Sequence, residues 1–375
     1  MKSRKYRYFI LGFVLLAGAI YFVLNQLSIR HGPQVSEVTY EGINVNQIEH
    51  ASSFDDLFQQ VREVKLSGKL LRDIRHLVLM PDGQFLVNDG EVSIFDTSGR
   101  FKQSIGKRGR KGPGEYLSAT TVEVDDSSNI YILDDRSILV SAFDKSGNYK
   151  YSFRIDKLFQ QMALIGNRLY TYSTDIYFKK MATCYEIPGG KKLFEFAPST
   201  EFLKELSSNG YMSISGIRGP LIVRSKGVIY IAHPYEYLAR EFDENGREIR
   251  DVLMKSNNFV SINSHVKFKL DLSKPTSETF KSYLTRIWVW KNFIFVIFRN
   301  EPLSRGFLDI YDVKGNKVTE GSLEIPKMIS DGFVFPSAMD ENGNLWVAVQ
   351  GEMKSATEVP NPSLFRYRFL PLVGK

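Results

Sequence analysis

The sequence predicts an all-β fold, a six-bladed β-propeller that is preceded by one N-terminal transmembrane helix. Three observations predict it. A strand–turn–strand pattern occurs six times after residue 61, an Asp-x-x-Gly hairpin follows four of these units, and an uncharged apolar run stands near the N-terminus. Aromatic residues form 13% of the chain, and their enrichment favours strands.

The N-terminal run predicts a membrane anchor. Residues 1–7 are basic, and residues 8–24 contain no charge, which is close to the shortest stretch that can span a membrane as a helix. By the positive-inside rule the basic start stays in the cytoplasm. We therefore predict a cytoplasmic start and anchor over residues 1–27, a single pass through the inner membrane, and a body in the periplasm. Cleavage as a signal peptide stays open, because residues 17–19 are small.

Residues 28–60 are mixed and polar, and we predict a linker that leads into the propeller of residues 61–375. The apolar residues of segment 54–61 have helical spacing, which predicts one short helix there.

Residues 106–153 provide the reference repeat. Gly106 begins a loop of four glycines and one proline, and two short apolar runs then flank the polar turn 125–129. A second hairpin turns at Asp144, whose carboxylate can accept a backbone N–H two residues on, and Gly147 suits the left-handed position that closes such a turn. Two successive hairpins give one four-stranded blade.

The same unit recurs along the chain. Its six copies are residues 77–89, 122–135, 162–173, 221–234, 287–298 and 338–349. The Asp-x-x-Gly hairpins begin at Asp96, Asp144, Asp243 and Asp312. Each unit takes about 52 residues, close to the ~40–50 of four-stranded blades, and insertions are predicted near 198–218 and 255–284. Five or seven blades remain the alternatives.

An open ring would leave two sheet edges able to pair with other chains. We predict that a strand over residues 61–66 closes the ring as the outer strand of the last blade, beside residues 364–369.

The reference repeat resembles the NHL-type repeat. Gly109 and segments 112–116, 122–125, 129–134 and 143–147 carry the resemblance. The chain is also similar to the bacterial six-bladed β-propeller family, most of whose members have no assigned activity, so the resemblance implies a fold and no reaction.

The charge balance argues against a nucleic-acid partner. Formal net charge is +7, but four positive charges stand in residues 1–7, and the rest of the chain is only about +3. The basic loop 107–111 is predicted to be a solvated surface. Cys184 is the only cysteine, so the chain has neither an internal disulfide nor a cysteine-based zinc site, and we predict a small buried side chain.

The histidines show no metal-ligand spacing. They stand at His31, His50, His76, His233 and His265. A zinc-dependent lyase would need the last three to converge, and a calcium site built from turn carboxylates stays open. We predict no catalytic residue, metal ligand or cofactor, with calcium the one possibility kept. A calcium- or zinc-dependent hydrolase or lyase in the channel is the alternative function.

Polar segments close three of the repeated units at equivalent points, so they occupy one rim of the propeller, where loops usually bind ligands. The predicted ligand-binding residues are Asp135, Arg136, His233, Tyr235, Arg299 and Glu301. Trp288 and Trp290 flank Val289 in an apolar strand and are predicted to be core. The predicted function is a non-catalytic binding or scaffolding module for an envelope protein, peptide or glycan, attached to the membrane through residues 8–24.

Overall fold

The computed structural model describes residues 42–72, 74–109, 112–210, 221–262, 282–300, 303, 305–326, 337–349 and 361–372. These residues form six four-stranded antiparallel sheets. The predicted anchor and most of the predicted linker lie outside the described residues. Within the described ranges, no helix has the length and apolar character needed to cross a membrane.

Each sheet is one blade, and its strands are given from the innermost to the outermost. Blade 1 contains β2 (His76–Leu79), β3 (Phe85–Asn88), β4 (Val92–Phe95) and β5 (Phe101–Ile105). Blade 2 contains β8 (Thr121–Val124), β9 (Ile130–Asp134), β10 (Leu139–Phe143) and β11 (Tyr149–Arg154). Blade 3 contains β12 (Gln161–Ile165), β13 (Arg168–Tyr172), β14 (Lys180–Glu186) and β15 (Lys191–Pro198).

The second half of the ring repeats the pattern. Blade 4 contains β16 (Ile222–Ser225), β17 (Val228–Ala232), β18 (Leu238–Asp243) and β19 (Glu248–Leu253). Blade 5 contains β20 (Ser282–Trp290), β21 (Phe293–Asn300), β22 (Arg305–Asp312) and β23 (Leu323–Glu324). Blade 6 contains β24 (Ser337–Met339), β25 (Leu345–Val349), β26 (Ser363–Phe369) and β1 (Phe58–Lys65).

Elements outside the blades are short. β6 (Lys107–Arg108) and β7 (Glu115–Tyr116) form a parallel pair in the loop between blades 1 and 2. α1 (Val45–Glu49) precedes β1, and α2 (Glu201–Ser208) lies in the first predicted insertion.

Burial follows from blade packing. Every residue of β9 is buried, whereas β11 at the outer edge is mostly exposed and buries only Phe153 among its six residues. The apolar clusters lie between neighbouring blades; one, for example, joins Val92 and Ile94 of blade 1 to Val122 and Ile132 of blade 2. The core is therefore a ring of interfaces between sheets, as strands covered on both faces require.

The predicted turns are confirmed. Asp144 accepts hydrogen bonds from the backbone N–H groups of Ser146 at 2.8 Å and Asn148 at 2.9 Å, and Gly147 has φ +79°. The carboxylates at Asp96, Asp243 and Asp312 bind their turns in the same way.

The predicted closure is also confirmed. β1 pairs antiparallel with β26, Phe58 opposite Phe369 and Lys65 opposite Ser363. The helix predicted over 54–61 is only a 3₁₀ turn, Phe54–Asp56, before the strand begins. The Phe54 ring stacks on the Phe58 ring at 4.8 Å, and pairing with β26 outweighs the local helical spacing.

Candidate functional site

The innermost strands of all six blades surround a cavity of about 260 Å³ in the central channel. Most of the side chains around it are apolar, among them Leu164, Ile222, Trp288, Val289 and Ala338, but polar atoms make up about half of the surface that lines it. Trp288 and Trp290 are 7% and 8% exposed, so the prediction that both are buried is confirmed, although both also line the cavity.

His76 faces the cavity from the first position of β2. Its Nε2 lies 3.5 Å from Thr121 Oγ1, and its Nδ1 is buried with no hydrogen-bond partner among the described residues. Burial, and to a smaller extent the positive charge of Arg286, lower the pKa of His76 to about 4. The ring is therefore neutral at pH 7.

Glu123 and Arg224 line the opposite part of the cavity. Burial raises the pKa of the Glu123 carboxyl to about 8, and the Arg224 charge partly opposes this effect. Arg224 Nη2 donates to Asp126 Oδ1 at 2.7 Å. Because Arg224 belongs to blade 4 and Asp126 to blade 2, this ion pair crosses the channel past blade 3.

The cavity continues into a wider mouth of about 540 Å³. We call this the turn end, because the hairpins between the first and second strands of blades 1, 2 and 6 form it. Exposed charges of both signs stand there, including Arg62, Asp126 and Glu341. The mouth and the cavity share Val78, Leu79 and Met339 together with Glu123 and Arg224, so these two charged or titratable side chains stand at the boundary between them.

Two further carboxylates at the mouth are already occupied. Asp125 accepts from the backbone N–H groups of Ser127 and Asn129 at 2.9 and 2.8 Å. Asp340 accepts from those of Asn342 and Asn344 at 3.0 and 2.8 Å. Their role is to hold the hairpins.

The residues predicted from the sequence lie at the other end, the rim end, which carries the loops between the second and third strands. Arg136 is exposed, while Asp135 and Arg299 are half-buried. His233 and Tyr235 are buried, and Glu301 lies outside the described residues. Whether these side chains contact a ligand stays a prediction.

His233 is held inside the protein. Its Nε2 lies 3.0 Å from the Thr174 carbonyl oxygen, and its Nδ1 accepts from the Tyr235 backbone N–H at 3.2 Å. Burial lowers the pKa of His233 to about 4. His265 lies outside the described residues. Within those residues, no group of three or more His, Cys, Asp or Glu side chains could hold a metal ion.

Two other predictions concern single features. Cys184 is a free, buried cysteine as predicted, and burial raises the pKa of its thiol to about 11. In the basic loop, Lys107 and Arg108 are exposed, and Lys107 Nζ lies 3.2 Å from Glu115 Oε1.

Six four-stranded sheets closed by β1 and arranged around one channel define a six-bladed β-propeller. A family model described as "6-bladed beta-propeller" (DUF5128) matches residues 34–216. No curated protein matches this sequence. That the repeats are NHL-like stays a prediction.

Two solved structures share the fold. One is a presumed exported protein from Bacteroides fragilis, with TM-score 0.59 and 14% identity, covering 86% of this chain and 98% of that one. The other is a member of the DUF4221 family from Bacteroides vulgatus, with TM-score 0.58 and 10% identity, covering 83% and 97%.

Sequence reasoning missed the boundary between cavity and mouth. Glu123 stands between two valines of a strand, and this alternation is equally typical of an outward-facing side chain. Arg224 precedes a Ser-Lys-Gly turn and carries no motif. The position relative to the hairpin aspartate could have identified Glu123. Glu123 lies two residues before Asp125, and Ala338, which also lines the cavity, lies two residues before Asp340.

Proposed function

We propose that the protein is an exported binding or scaffolding module, anchored in the inner membrane, whose propeller faces the periplasm. It contacts an envelope protein, peptide or glycan without covalent chemistry. The observation that carries this proposal is the continuous space of mouth and cavity, since a ligand that enters it meets apolar walls and charges of both signs. Such a combination is typical of binding sites.

The proposed location rests on the N-terminal sequence. Basic residues 1–7 followed by the uncharged run 8–24 form an anchor of the predicted orientation. A presumed exported protein with the same fold supports the proposal. Fractionation of cells should find the intact chain in the inner membrane. If the mature chain lacks residues 1–27, the protein is not anchored through them, and that part of the proposal fails.

Both ends of the propeller are tested in one cross-linking experiment. The full-length protein is cross-linked in intact cells, purified and analysed by mass spectrometry beside three variants. Asp126→Asn with Glu341→Gln changes the turn end, and Arg136→Gln changes the rim end. Lys145→Gln changes an exposed turn at the outer edge of blade 2 that lines neither the cavity nor the mouth.

A specific partner should lose at least fivefold of its recovery in one end variant and keep it in Lys145→Gln. Loss at the turn end alone assigns binding to the channel mouth, and loss in Arg136→Gln assigns it to the predicted rim residues. Equal recovery from all four proteins would contradict the binding function.

Metal analysis of the purified protein separates this proposal from the enzymatic alternative. We expect no stoichiometric zinc or calcium. Stoichiometric metal together with a hydrolase or lyase activity that is lost on chelation would replace the binding module by an enzyme.

A further inference from the structure

The channel cavity indicates the chemical class of its ligand, provided that the proposed binding function holds. We propose that the cavity binds a ligand with one carboxylate on a small apolar body, the carboxylate against Arg224 and the apolar body along Trp288 and Val289.

The size and the wall of the cavity limit the ligand. A volume of about 260 Å³ lies just below the ~300–1,000 Å³ typical of small-molecule sites, so a small molecule or the end of a chain fits. The aromatic and aliphatic wall favours an apolar body, which leaves water when it binds.

Arg224 is placed to receive the carboxylate. A guanidinium presents a planar fork of N–H donors that matches a carboxylate better than a point charge does. Its present partner, Asp126, has a side chain that is 79% exposed, and Arg224 itself is 38% exposed. Ion pairs this exposed contribute little, so a ligand carboxylate in the less hydrated cavity can replace Asp126.

Glu123 does not oppose this carboxylate. Burial raises its pKa to about 8, so the group is mostly protonated at neutral pH. A protonated carboxyl can donate a hydrogen bond to a carboxylate oxygen. Above pH 8 the same group becomes an anion beside the ligand, and binding should weaken there.

The surrounding charges are compatible with an anion. The titratable groups that line the cavity and mouth, besides Glu123 and Arg224, are Arg62, His76, Asp125, Asp126, Asp340, Glu341 and Arg366. Arg286 is close enough to lower the pKa of His76. The hairpins occupy Asp125 and Asp340, and His76 is neutral. An ammonium ligand in the cavity itself would therefore meet the guanidinium of Arg224, which carries a charge of the same sign.

The same chemistry occurs in a free organic acid and in an apolar C-terminal residue of a peptide. The probes are therefore 4-methylpentanoate and the tripeptide Ala-Ala-Leu, each beside its uncharged amide. Binding to the full-length protein in nanodiscs is measured by calorimetry at pH 7, with 4-methylpentylamine as the cationic probe.

Each acid should bind at least tenfold more tightly than its amide and than the amine. Arg224→Gln should lose at least tenfold in affinity, and Arg224→Lys should lose less. Arg62→Gln, which removes a guanidinium from the mouth alone, should stay within twofold. Glu123→Gln should abolish the weakening above pH 8. A tripeptide that binds tenfold more tightly than the free acid identifies a chain end as the source, and equal affinities identify a free acid.

Equal binding of acids and amides, or stronger binding of the amine, would overturn the inference. So would equal effects of Arg224→Gln and Arg62→Gln. The acid–amide comparison needs no variant, so it decides the question even where a substitution impairs folding. Suppose that one end variant loses the cross-linked partner, while the acids bind no more tightly than their amides. The binding function would then stand, and only the carboxylate ligand would be rejected.

Discussion

Blades 2 and 6 are built from the same hairpin but from different parts of the chain. In blade 2 the Asn129 side-chain amide donates to Asp125 at 2.8 Å, and in blade 6 Asn344 donates to Asp340 at 2.8 Å. All four strands of blade 2 come from one continuous segment. In blade 6 the outer strand comes from the other end of the chain, and Ser363 bonds Glu63 across 300 positions.

The comparison distinguishes the interactions that form a blade from the interactions that close the ring. Local turn chemistry pairs the first two strands of a blade, and it works equally in both blades. Ring closure depends on a contact between distant segments, whose entropic cost grows with the length of chain between them. Damage should therefore be greater at the seam between β1 and β26 than at matched places in blade 2.

The largest effect is expected from deleting residues 61–66, because this opens the ring and exposes the edge of β26. We expect loss of the cooperative thermal transition, measured by circular dichroism. Deletion of residues 30–35 from the predicted linker is the matched control. Equal melting temperatures for the two deletions would show that β1 is not needed for closure.

Three glycine substitutions compare the stability cost of crowding β1 with the cost of crowding two other turns. An added Cβ at Gly99 would lie 2.4 Å from the Lys65 carbonyl oxygen of β1, whereas at Gly147 of blade 2 it would meet the Ile105 side chain at 2.6 Å. Gly166 has nothing within 4 Å. All three have positive φ, which alone costs about 1 kcal/mol for alanine.

We therefore expect Gly99→Ala to lower the free energy of unfolding by about 2–4 kcal/mol, Gly147→Ala by about 1–2 and Gly166→Ala by about 1. Urea denaturation measures all three. A Gly99→Ala loss no greater than that of Gly166→Ala would contradict tight packing of β1 against the Gly99 turn of blade 1.

Asparagine side chains give a smaller contrast. Asn361 accepts from the Leu71 N–H at 2.8 Å and donates to the carbonyl oxygens of Leu66 and Lys69 at 3.1 and 2.7 Å, which ties the seam together. Asn148 bonds only its own turn aspartate through its amide. Asn361→Ala should cost about 2 kcal/mol and Asn148→Ala under about 1 kcal/mol in urea denaturation. Equal losses would mean that the seam does not depend on these bonds.

The last contrast is between equivalent positions of the inner strands, Glu123 in blade 2 and Ala338 in blade 6. The folded-state pKa of Glu123, about 8, lies above that of a glutamate in an unfolded chain, so the unfolded state loses its proton first. Stability should fall as pH rises from about 4.5 to about 8 and then level off.

Glu123→Gln should remove this fall and raise the free energy of unfolding at pH 9 by up to about 5 kcal/mol, with no gain at pH 4. Ala338→Gln adds an uncharged amide at the equivalent place and should leave the pH profile unchanged. Thermal melts at four pH values measure both. An unaltered profile in Glu123→Gln would assign the pH dependence to other groups.

The fold was predictable because its determinants are local. Each Asp-x-x-Gly hairpin and each polar turn between apolar runs specifies its own pair of strands, and closure follows from the need to cover two edges. The channel site was less predictable. Glu123 and Arg224 are far apart in sequence and line one channel only because the inner strands of blades 2 and 4 face the same axis. Rim residues such as His233 were placed on the expected end, but burial and hydrogen bonding to Thr174 depend on packing that repeats alone do not reveal.

The strand that closes the ring has a consequence for biosynthesis. β1 leaves the ribosome before any blade exists, and its partner β26 is made only after all the strands of the other five blades. Until then an eight-residue strand stays unpaired while those blades are synthesised. The ring therefore closes on the strand that was made first, and that strand is the segment that a chaperone would have to shield longest.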